Sequence, residues 1–402
     1  MLSPAEMLQS LIGDLSVETF LADYWERKHL VVRREGEHPL FDFDERDIEA
    51  RIRYSPCHFK KALRLVFHGH QVVREAMQES GGKEYDFDFA KIRGAYLSGA
   101  TSIVNQTDRF SNRLLHGVRL LEKALGASAG INLYATPPST QGYRVHYDSH
   151  DVLVIQISGA KHWQLFQQAV EYPFDGIREK YPVPPYGDPD HEFTLGPGDV
   201  LYCPRGLLHC ARAARGEHSV HLTIGLQPLL WKDLLAYAID AAALDHVDLR
   251  QSLPAGDLRN LNNVDKILEQ ARELLEKSKS RLSIETVVER FGKRWCPRGH
   301  FATPLPEASV IPREQARSLQ PTSTLRQTKD LKVTEDDHWF GVEIEYRDHP
   351  FVLKQRLRPV WDWISKQESF QPQDLAEHLR KDDDPILFCE YLLNNGCLEQ
   401  PT

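Results

Sequence analysis

The sequence predicts an α+β protein in which helices flank a central antiparallel β-sandwich or barrel. From about residue 93 to residue 227, short strand-like segments follow one another, with turn signals such as "SGAK", "LGPGD" and "PRG" between them. No helical pattern interrupts this region, whereas apolar residues recur at helical spacing before it and after Leu229. Many short strands without helices between them favour an antiparallel architecture.

The elements before and inside this region are predicted as follows. Helices are expected over Pro4–Trp25, with Ser16 near a helix start, then a short strand at His29–Arg34 and a helix at Gln71–Glu79. The barrel strands are expected at Ile131–Ala135, Arg144–Tyr147, Val152–Ile157, His162–Phe166, Glu192–Leu195, Val200–Cys203 and Ser219–Leu226.

Behind the strands the pattern becomes helical. Two amphipathic helices are expected in "LLWKDLLAYAIDAAAL" and "NVDKILEQARELLEKSKSRL". The C-terminal part predicts a hairpin from Phe340–Tyr346 and Phe351–Gln355, then helices at Pro359–Lys366, Gln373–Lys381 and Asp384–Asn394. We therefore expect three domains: residues 1–228 with the barrel and an N-terminal helical extension, residues 229–300 as a helical domain, and residues 301–402 as a winged-helix-like domain.

Composition limits the class of protein. The 402 residues are 41% hydrophobic and 27% charged, and the formal net charge of −9 disfavours non-specific nucleic-acid binding. The sequence contains no run of eighteen apolar residues, so no membrane span is expected. Met1–Asp14 lacks the pattern of a secretory signal. The six cysteines form no C-x-x-C pair. A cytoplasmic protein with free thiols is the expectation.

Three side chains predict a metal site at one end of the barrel. His146 and Asp148 are two residues apart, a spacing that places both on the same face of a strand. His209 follows the turn at Pro204–Gly206 near the start of a later strand. Two imidazoles and one carboxylate with open positions form the facial triad of non-haem Fe(II) oxygenases. The alternative is a solvated strand end, since an H-x-D pair alone is common. His150, Asp151 and His162 are weaker candidates, expected to be solvated or to lie behind the ligands.

The segments "INLYATPPSTQGYRVHYDSHDVLVIQISGAKHWQLF", "GDVLYCPRGLLHCA" and "SVHLTIGL" resemble the Jumonji C oxygenases of the ribosomal-oxygenase (cupin-4) group, over roughly residues 90–228. The resemblance implies a double-stranded β-helix (cupin or jelly-roll) barrel that uses Fe(II), O₂ and the co-substrate 2-oxoglutarate. It places the iron ligands on His146, Asp148 and His209, and the distal carboxylate of 2-oxoglutarate on Lys161. A dianion entering a closed barrel needs such a fixed cation. The further pocket residues implied are Asn132, Tyr134 and Thr223.

Two positions depart from the pattern of that group. Gly225 stands where the group often has a serine that helps hold the co-substrate, so co-substrate affinity or orientation is expected to differ, or a water to substitute. Lys161 stands where some relatives have arginine, so a single-point contact is expected in place of a bidentate one.

The resemblance implies a hydroxylase of a protein or peptide side chain, with Arg or His of a ribosomal protein as candidates. One alternative is an N-methyl-lysine demethylase, and another is a cupin-type metal-binding regulatory module without 2-oxoglutarate turnover. The resemblance also implies a homodimer through the helices of 229–282, against the alternative of an intrachain bundle. The C-terminal domain is not expected to bind DNA, because "RKDDDP" puts acids where a recognition helix needs Lys or Arg. Neither a membrane nor a nucleic acid is an expected partner.

Overall fold

The computed structural model describes residues 2–36, 38, 49–50, 53–54, 63–67, 69–72, 87–110, 112–177, 184–253, 264–279, 319–329, 331–334, 341–346 and 349–401. These residues belong to two compact units. The first contains those within 1–124, 129–226 and 302–402, and the second those within 125–128 and 227–301. Part of the predicted helix at Gln71–Glu79 and part of the loop after Gly176 lie outside the described residues.

The N-terminal extension is helical, as predicted, and leads into the barrel. Helix α1 (Pro4–Ile12) begins at a capping box, in which Ser3 and Glu6 satisfy each other's backbone N–H groups. Its buried face packs Met7, Leu8, Leu11 and Ile12 into the core. Ser16 caps the next turn, Val17–Thr19, and a π-helical turn at Phe20–Tyr24 follows.

Within the described residues, eleven strands form the barrel region. In chain order they are β1 (Leu30–Val32), β2 (Leu63–Phe67), β3 (His70–Gln71), β4 (Thr101–Val104), β5 (Ala127–Thr136), β6 (Asp151–Gly159), β7 (Lys161–Gln168), β8 (His191–Leu195), β9 (Val200–Cys203), β10 (Leu207–Ala213) and β11 (Ser219–Pro228). Helices α2 (Phe89–Leu97) and α3 (Asn112–Leu125) lie between β3 and β5 in the sequence.

These strands form two antiparallel sheets that share a core. The large sheet has the order β1-β9-β6-β11-β5-β4-β2-β3, and the small one β10-β7-β8. Val154 of β6, Trp163 and Leu165 of β7, Leu195 of β8 and Leu201 of β9 belong to one buried apolar cluster, so the two sheets pack face to face. The predicted cupin-like arrangement of antiparallel sheets and helices is confirmed.

The predicted strand at Arg144–Tyr147 is wrong. This segment forms only an isolated bridge between His146 and His209. Its flanking backbone groups bond to turns on different sides, since Gly142 O accepts from Gly69 N–H and Asp148 O accepts from Gly206 N–H. Strand β10 runs beside this part of the chain, with isolated bridges at Gln141–Arg212 and His146–His209, but the two bridges are too far apart to form a continuous ladder.

The C-terminal part combines short strands with helices around its own core. Its strands are β12 (Arg326–Gln327), β13 (Lys332–Thr334), β14 (Gly341–Tyr346), β15 (His349–Lys354) and β16 (Leu398–Glu399). The predicted hairpin is confirmed as β14 and β15, followed by α6 (Arg358–Ile364) and α7 (Pro385–Asn394). The predicted helix at Gln373–Lys381 is instead a short 3₁₀ segment, Pro372–Glu377, whose end His378 donates to Leu375 in the tighter i to i+3 pattern.

Two residues from the N-terminal half complete this C-terminal core. Ala50 and Tyr54 join the buried cluster around Trp361 and Phe388. The Tyr54 hydroxyl donates to the backbone oxygen of Asp384 over 3.1 Å. This cluster packs Ala50 and Tyr54 against a module that lies far along the sequence.

The second unit is helical, with α4 (Trp231–Asp245) and α5 (Val264–Lys279) at the positions of the two predicted helices. Trp231, Leu235 and Ile239 recur every four residues on α4 and are exposed. No helix in the described part of the chain is long and apolar enough to cross a membrane. Cys203, Cys210, Cys389 and Cys397 carry free thiols.

Candidate metal centre and its cavity

The two histidines predicted as ligands lie side by side. Backbone hydrogen bonds join His146 to His209 in both directions, at 3.1 and 2.8 Å, and the two ring centroids are 4.5 Å apart. His209 is reached through a bulge in the pairing of β10 with β7, between Leu207 and His209. Bulges re-aim a side chain at the rim of a barrel, and this one lies directly before the His209 ring.

Asp148 completes the group. One ligand atom from each of His146, Asp148 and His209 lies within 4.8 Å of the other two, and Asp148 Oδ2 is 3.6 Å from His209 Nε2. Asp148 lies before β6 and not in a strand, so the two-residue period of a strand does not orient it. Its backbone oxygen instead accepts from Gly206 in the turn that leads to His209.

Gly206 is required in that turn. Its φ of +82° lies in the left-handed region, and an added Cβ would stand 2.0 Å from the backbone oxygen of Val170. The same glycine therefore fixes the approach of Asp148 to His209 and the tight turn into β10.

The hydrogen bonds of both rings set their tautomers. Nδ1 of His146 is 2.8 Å from the backbone oxygen of Arg144, and Nδ1 of His209 is 2.9 Å from that of Leu207. A carbonyl only accepts, so each Nδ1 carries a proton and Nε2 is the ring nitrogen left to bind a metal. Burial, followed by the nearby His146, lowers the pKa of His209 to about 4. This ring is neutral at physiological pH, which is the form that binds a metal.

The three residues open into a cavity of about 300 Å³ enclosed by the strands of both sheets. Three residues of β11 at two-residue spacing, His221, Thr223 and Gly225, line it. Asn132 and Tyr134 do the same from β5, and Lys161 and Trp163 from β7. All four residues predicted for the co-substrate, Lys161, Asn132, Tyr134 and Thr223, therefore border the same space as the three predicted ligands.

Lys161 is a buried cation. Its side chain is 5% exposed, and Nζ lies 3.2 Å from Thr136 Oγ1 and 3.4 Å from His221 Nδ1. No carboxylate of the described residues forms an ion pair with it. Burial lowers the pKa of Lys161 to about 7, against an ordinary value of 10.5. An ammonium in this position lacks the negative partner that a buried charge normally has.

His221 is a site residue that sequence reasoning missed. It is 3% exposed, stacks on Tyr134 with centroids 4.9 Å apart, and offers Nδ1 to the Lys161 ammonium. Burial lowers the pKa of His221 well below its usual range, so the ring is neutral and accepts at Nδ1. The signal was present in the sequence, because His221 shares the strand parity of Thr223.

The remaining predicted pocket residues differ in their bonds. Asn132 Oδ1 accepts from the backbone N–H of Gln106 over 3.0 Å, which fixes the amide. Burial raises the pKa of Tyr134, so its phenol keeps its proton. Arg64, which sequence reasoning also missed, adds a second cation to the cavity wall and bonds Asn105 over 3.0 Å. Its Nε is buried without a hydrogen-bond partner among the described residues.

The three weaker candidates have three different environments. His162 is on the outer face of β7 and lies 3.3 Å from Glu192. His150 borders the cavity. Asp151 is fully buried, which excludes the solvated alternative for this residue. Its Oδ1 accepts from Tyr202 over 2.6 Å, while Oδ2 has no partner among the described residues. The carboxyl avoids water because the N-terminal extension covers it, with Glu26 N–H bonded to Tyr202 Oη.

Comparison with known proteins matches part of this chain to one domain family. Residues 105–234 match the family described as the JmjC domain. Ribosomal oxygenase 2 of Bos taurus is 31% identical over 269 residues, which cover 64% of this chain and 56% of the bovine protein. The bifunctional lysine-specific demethylase and histidyl-hydroxylase NO66 of Aedes aegypti is 26% identical over 302 residues, 71% of this chain and 47% of that protein. The chain thus spans about half the length of these curated relatives.

A solved structure of YcfD, a ribosomal oxygenase from Escherichia coli in complex with cobalt and 2-oxoglutarate, covers 97% of this chain and 99% of its own. Its sequence identity is 16% and the TM-score is 0.42, too low for this likeness to bear on the function.

Proposed function

We propose that this chain is an Fe(II)- and 2-oxoglutarate-dependent oxygenase. The premise is that residues 105–234 place it in the JmjC domain family. The reaction would hydroxylate a side chain of a protein or peptide. The observation that carries the proposal is that His146, Asp148 and His209 share one cavity with the buried cation of Lys161.

The donor set fits a divalent metal with open positions. Nε2 of His146, Nε2 of His209 and the Asp148 carboxylate would hold Fe(II). The distance of 3.6 Å between Asp148 Oδ2 and His209 Nε2 is close to the spacing of roughly 3 to 3.5 Å expected around one ion. Two backbone carbonyls hold the rings in their tautomers, which is the support that metal-binding histidines usually have.

The cavity also fits a dianionic co-substrate. The Lys161 ammonium would bind the distal carboxylate of 2-oxoglutarate, and that bond would supply the negative partner that this buried cation lacks. Thr136 and neutral His221 hold Nζ in position from two sides. Asn132, Tyr134 and Thr223 would add polar contacts along the same wall, with the protonated phenol of Tyr134 as a donor.

When bound, Fe(II) supplies the activation of O₂ that converts 2-oxoglutarate to succinate and CO₂ and inserts one oxygen atom into a substrate C–H bond. The protein's own contribution is binding and shielding. Val152, Val154 and Trp163 border the cavity and keep bulk water from the reacting groups.

The charges of the cavity favour a neutral substrate side chain. Arg64 and Lys161 are the cations of the described lining, and Asp148, a proposed metal ligand, is its only carboxylate. A guanidinium or ammonium would find no free carboxylate there, so histidine is favoured over arginine. A ribosomal protein is the proposed source of that side chain, supported by the name of the bovine relative.

Demethylation of N-methyl-lysine is the second candidate, because the mosquito relative is named for both activities. The two cations of the lining disfavour a methylated ammonium, so we rank it lower. The two reactions differ in product mass. Hydroxylation adds about 16 Da, and demethylation removes about 14 Da.

Purified protein supplied with Fe(II) and 2-oxoglutarate is expected to form succinate, and His146→Ala to abolish it. His162→Ala is the matched control, since His162 is on the outer face of β7 and should leave turnover unchanged. Wild-type protein that binds a metal but never consumes 2-oxoglutarate contradicts the proposal and favours a cupin-type metal-binding regulatory module.

The domain roles are proposals of the same kind. We infer that residues 1–228 are catalytic, that residues 229–300 pair two chains into a homodimer, and that residues 301–402 form a winged-helix-like module. The exposed apolar face of α4, with Trp231 80% and Leu235 61% exposed, supports the dimer. A cytoplasmic location is supported by the free thiols of the described cysteines.

A further inference from the structure

Gly225 is the one position on the cavity face of β11 without a side chain. The short distance to His150 explains why this position holds a glycine. A Cβ added there would stand 3.0 Å from both Cδ2 and Nε2 of His150. That distance is tighter than an ordinary contact. The backbone of Gly225 is not in the left-handed region, so backbone conformation does not require glycine here. The imidazole of His150 would have to move by a few tenths of an ångström to admit a side chain at 225.

The residues beside His150 hold it in place. The hydroxyl of Ser149 donates to Asp175 Oδ1 over 2.5 Å, and Asp151 is fully buried and bonded to Tyr202. Asp151 also begins β6, which pairs with β11 so that Val152 stands opposite Gly225. The pairing therefore places the start of β6, which His150 directly precedes, beside the end of β11 that contains Gly225.

The ring of His150 presents a polar edge to the cavity. It borders the same space as Lys161 and the three proposed metal ligands, and its nitrogens make no hydrogen bond within the part of the chain described. A neutral imidazole always carries one N–H donor. A donor held in a cavity that also contains a buried ammonium is suited to an anionic ligand.

We propose that His150 binds the co-substrate directly, by donating a hydrogen bond to an oxygen of 2-oxoglutarate from the wall that Gly225 leaves bare. This inference rests on the proposed function and adds a positioning residue to it. His150 and Gly225 act as one exchangeable pair. The donor can come from an imidazole at 150 over a glycine at 225, or from a hydroxyl at 225 over a small residue at 150.

The test measures the dissociation constant of 2-oxoglutarate by calorimetry on the Mn(II)-loaded protein, without turnover. His150→Phe keeps a ring in the space but removes the N–H, and it should weaken 2-oxoglutarate binding by about tenfold or more, the loss expected for a hydrogen bond to a charged group. Mn(II) affinity should stay within about twofold, because the three ligands are untouched. His162→Phe, on the outer face of β7, is the matched control and should change neither constant.

A second pair of variants tests whether a hydroxyl at position 225 can replace the hydrogen-bond donor of His150. Gly225→Ser alone should weaken 2-oxoglutarate binding, because its Cβ displaces the imidazole from the position in which it donates. In the His150→Ala background the same serine should strengthen binding, because the space is open and a hydroxyl replaces the lost donor. Such a reversal of sign is a readout that a merely structural role would not produce.

Two results would overturn the inference: His150→Phe binding 2-oxoglutarate as tightly as the wild type, or Gly225→Ser having the same effect in both backgrounds. Failure of the wild-type protein to bind 2-oxoglutarate at all would instead remove the proposed function. Thermal unfolding of each variant, compared with the wild type, separates a binding loss from a folding defect.

Discussion

Replacing Lys161 with methionine should stabilise the protein while it destroys co-substrate binding. Burial lowers the pKa of Lys161 from 10.5 to about 7. At about 1.4 kcal/mol per tenfold change, that difference corresponds to about 5 kcal/mol of free energy. Below pH 7 the amine is charged in both the folded and the unfolded state, and the folded protein carries this full cost. Between pH 7 and 10.5 the unfolded state binds more protons, so wild-type stability rises with pH.

Methionine fills a similar volume without a charge and therefore removes the cost. At pH 7 we expect the free energy of unfolding of Lys161→Met to exceed that of the wild type by about 2 to 4 kcal/mol, after a packing loss of about 1 kcal/mol. The variant should also lack the rise in stability above pH 7. Loss of the cation should weaken 2-oxoglutarate binding by about a hundredfold, since removing one partner of a buried charge pair costs about 3 kcal/mol.

Urea unfolding at pH 7 and pH 9, followed by tryptophan fluorescence, measures the first effect, and calorimetry on the Mn(II)-loaded protein measures the second. Lys123→Met is the control, because Lys123 is exposed on α3 and should change neither quantity. The reasoning is refuted if Lys161→Met is less stable than the wild type at both pH values and still binds 2-oxoglutarate with wild-type affinity.

Four further outcomes are expected. His209→Ala should weaken Mn(II) binding by about a hundredfold or more, measured by calorimetry, and unchanged affinity would contradict the ligand assignment. Burial raises the pKa of Asp151 to about 7, so the contribution of Asp151 to stability should fall by about 4 kcal/mol as pH rises from 4 to 7. In urea titrations the stability of Asp151→Asn relative to the wild type should therefore rise over this range, and a difference that stays constant with pH refutes the assignment. Tyr54→Phe should lower the free energy of unfolding by about 1 kcal/mol through loss of the bond to Asp384, and no change would show that bond to be unimportant. Leu235→Glu should convert the proposed dimer to a monomer in light scattering, and a mass equal to that of the wild type removes α4 from the interface.

Many residues of the candidate site could be predicted from the sequence. Strands β5 to β9 and β11 were predicted in order, with one wrong strand at Arg144–Tyr147, because alternation and turn residues are readable one segment at a time. Strand β10 was expected only as a later strand that begins near His209. Thr223 and Lys161 were implied by the resemblance to the Jumonji C oxygenases, and both border the cavity. His221 was overlooked although strand parity with Thr223 pointed to it, and Arg64 lies in a strand far from the recognised segments.

The sequence by itself determined the antiparallel barrel, the flanking helices and the chemical types of the three candidate ligands, because alternation, turn residues and the H-x-D spacing are local properties of the chain. Only the tertiary structure decided that Asp148 reaches His209 through the Gly206 turn, that Asp151 is buried under the N-terminal extension, and that His150 covers Gly225. Each of these depends on packing between segments distant in sequence. Burial and close approach are properties of packed surfaces, which one-dimensional spacing does not contain.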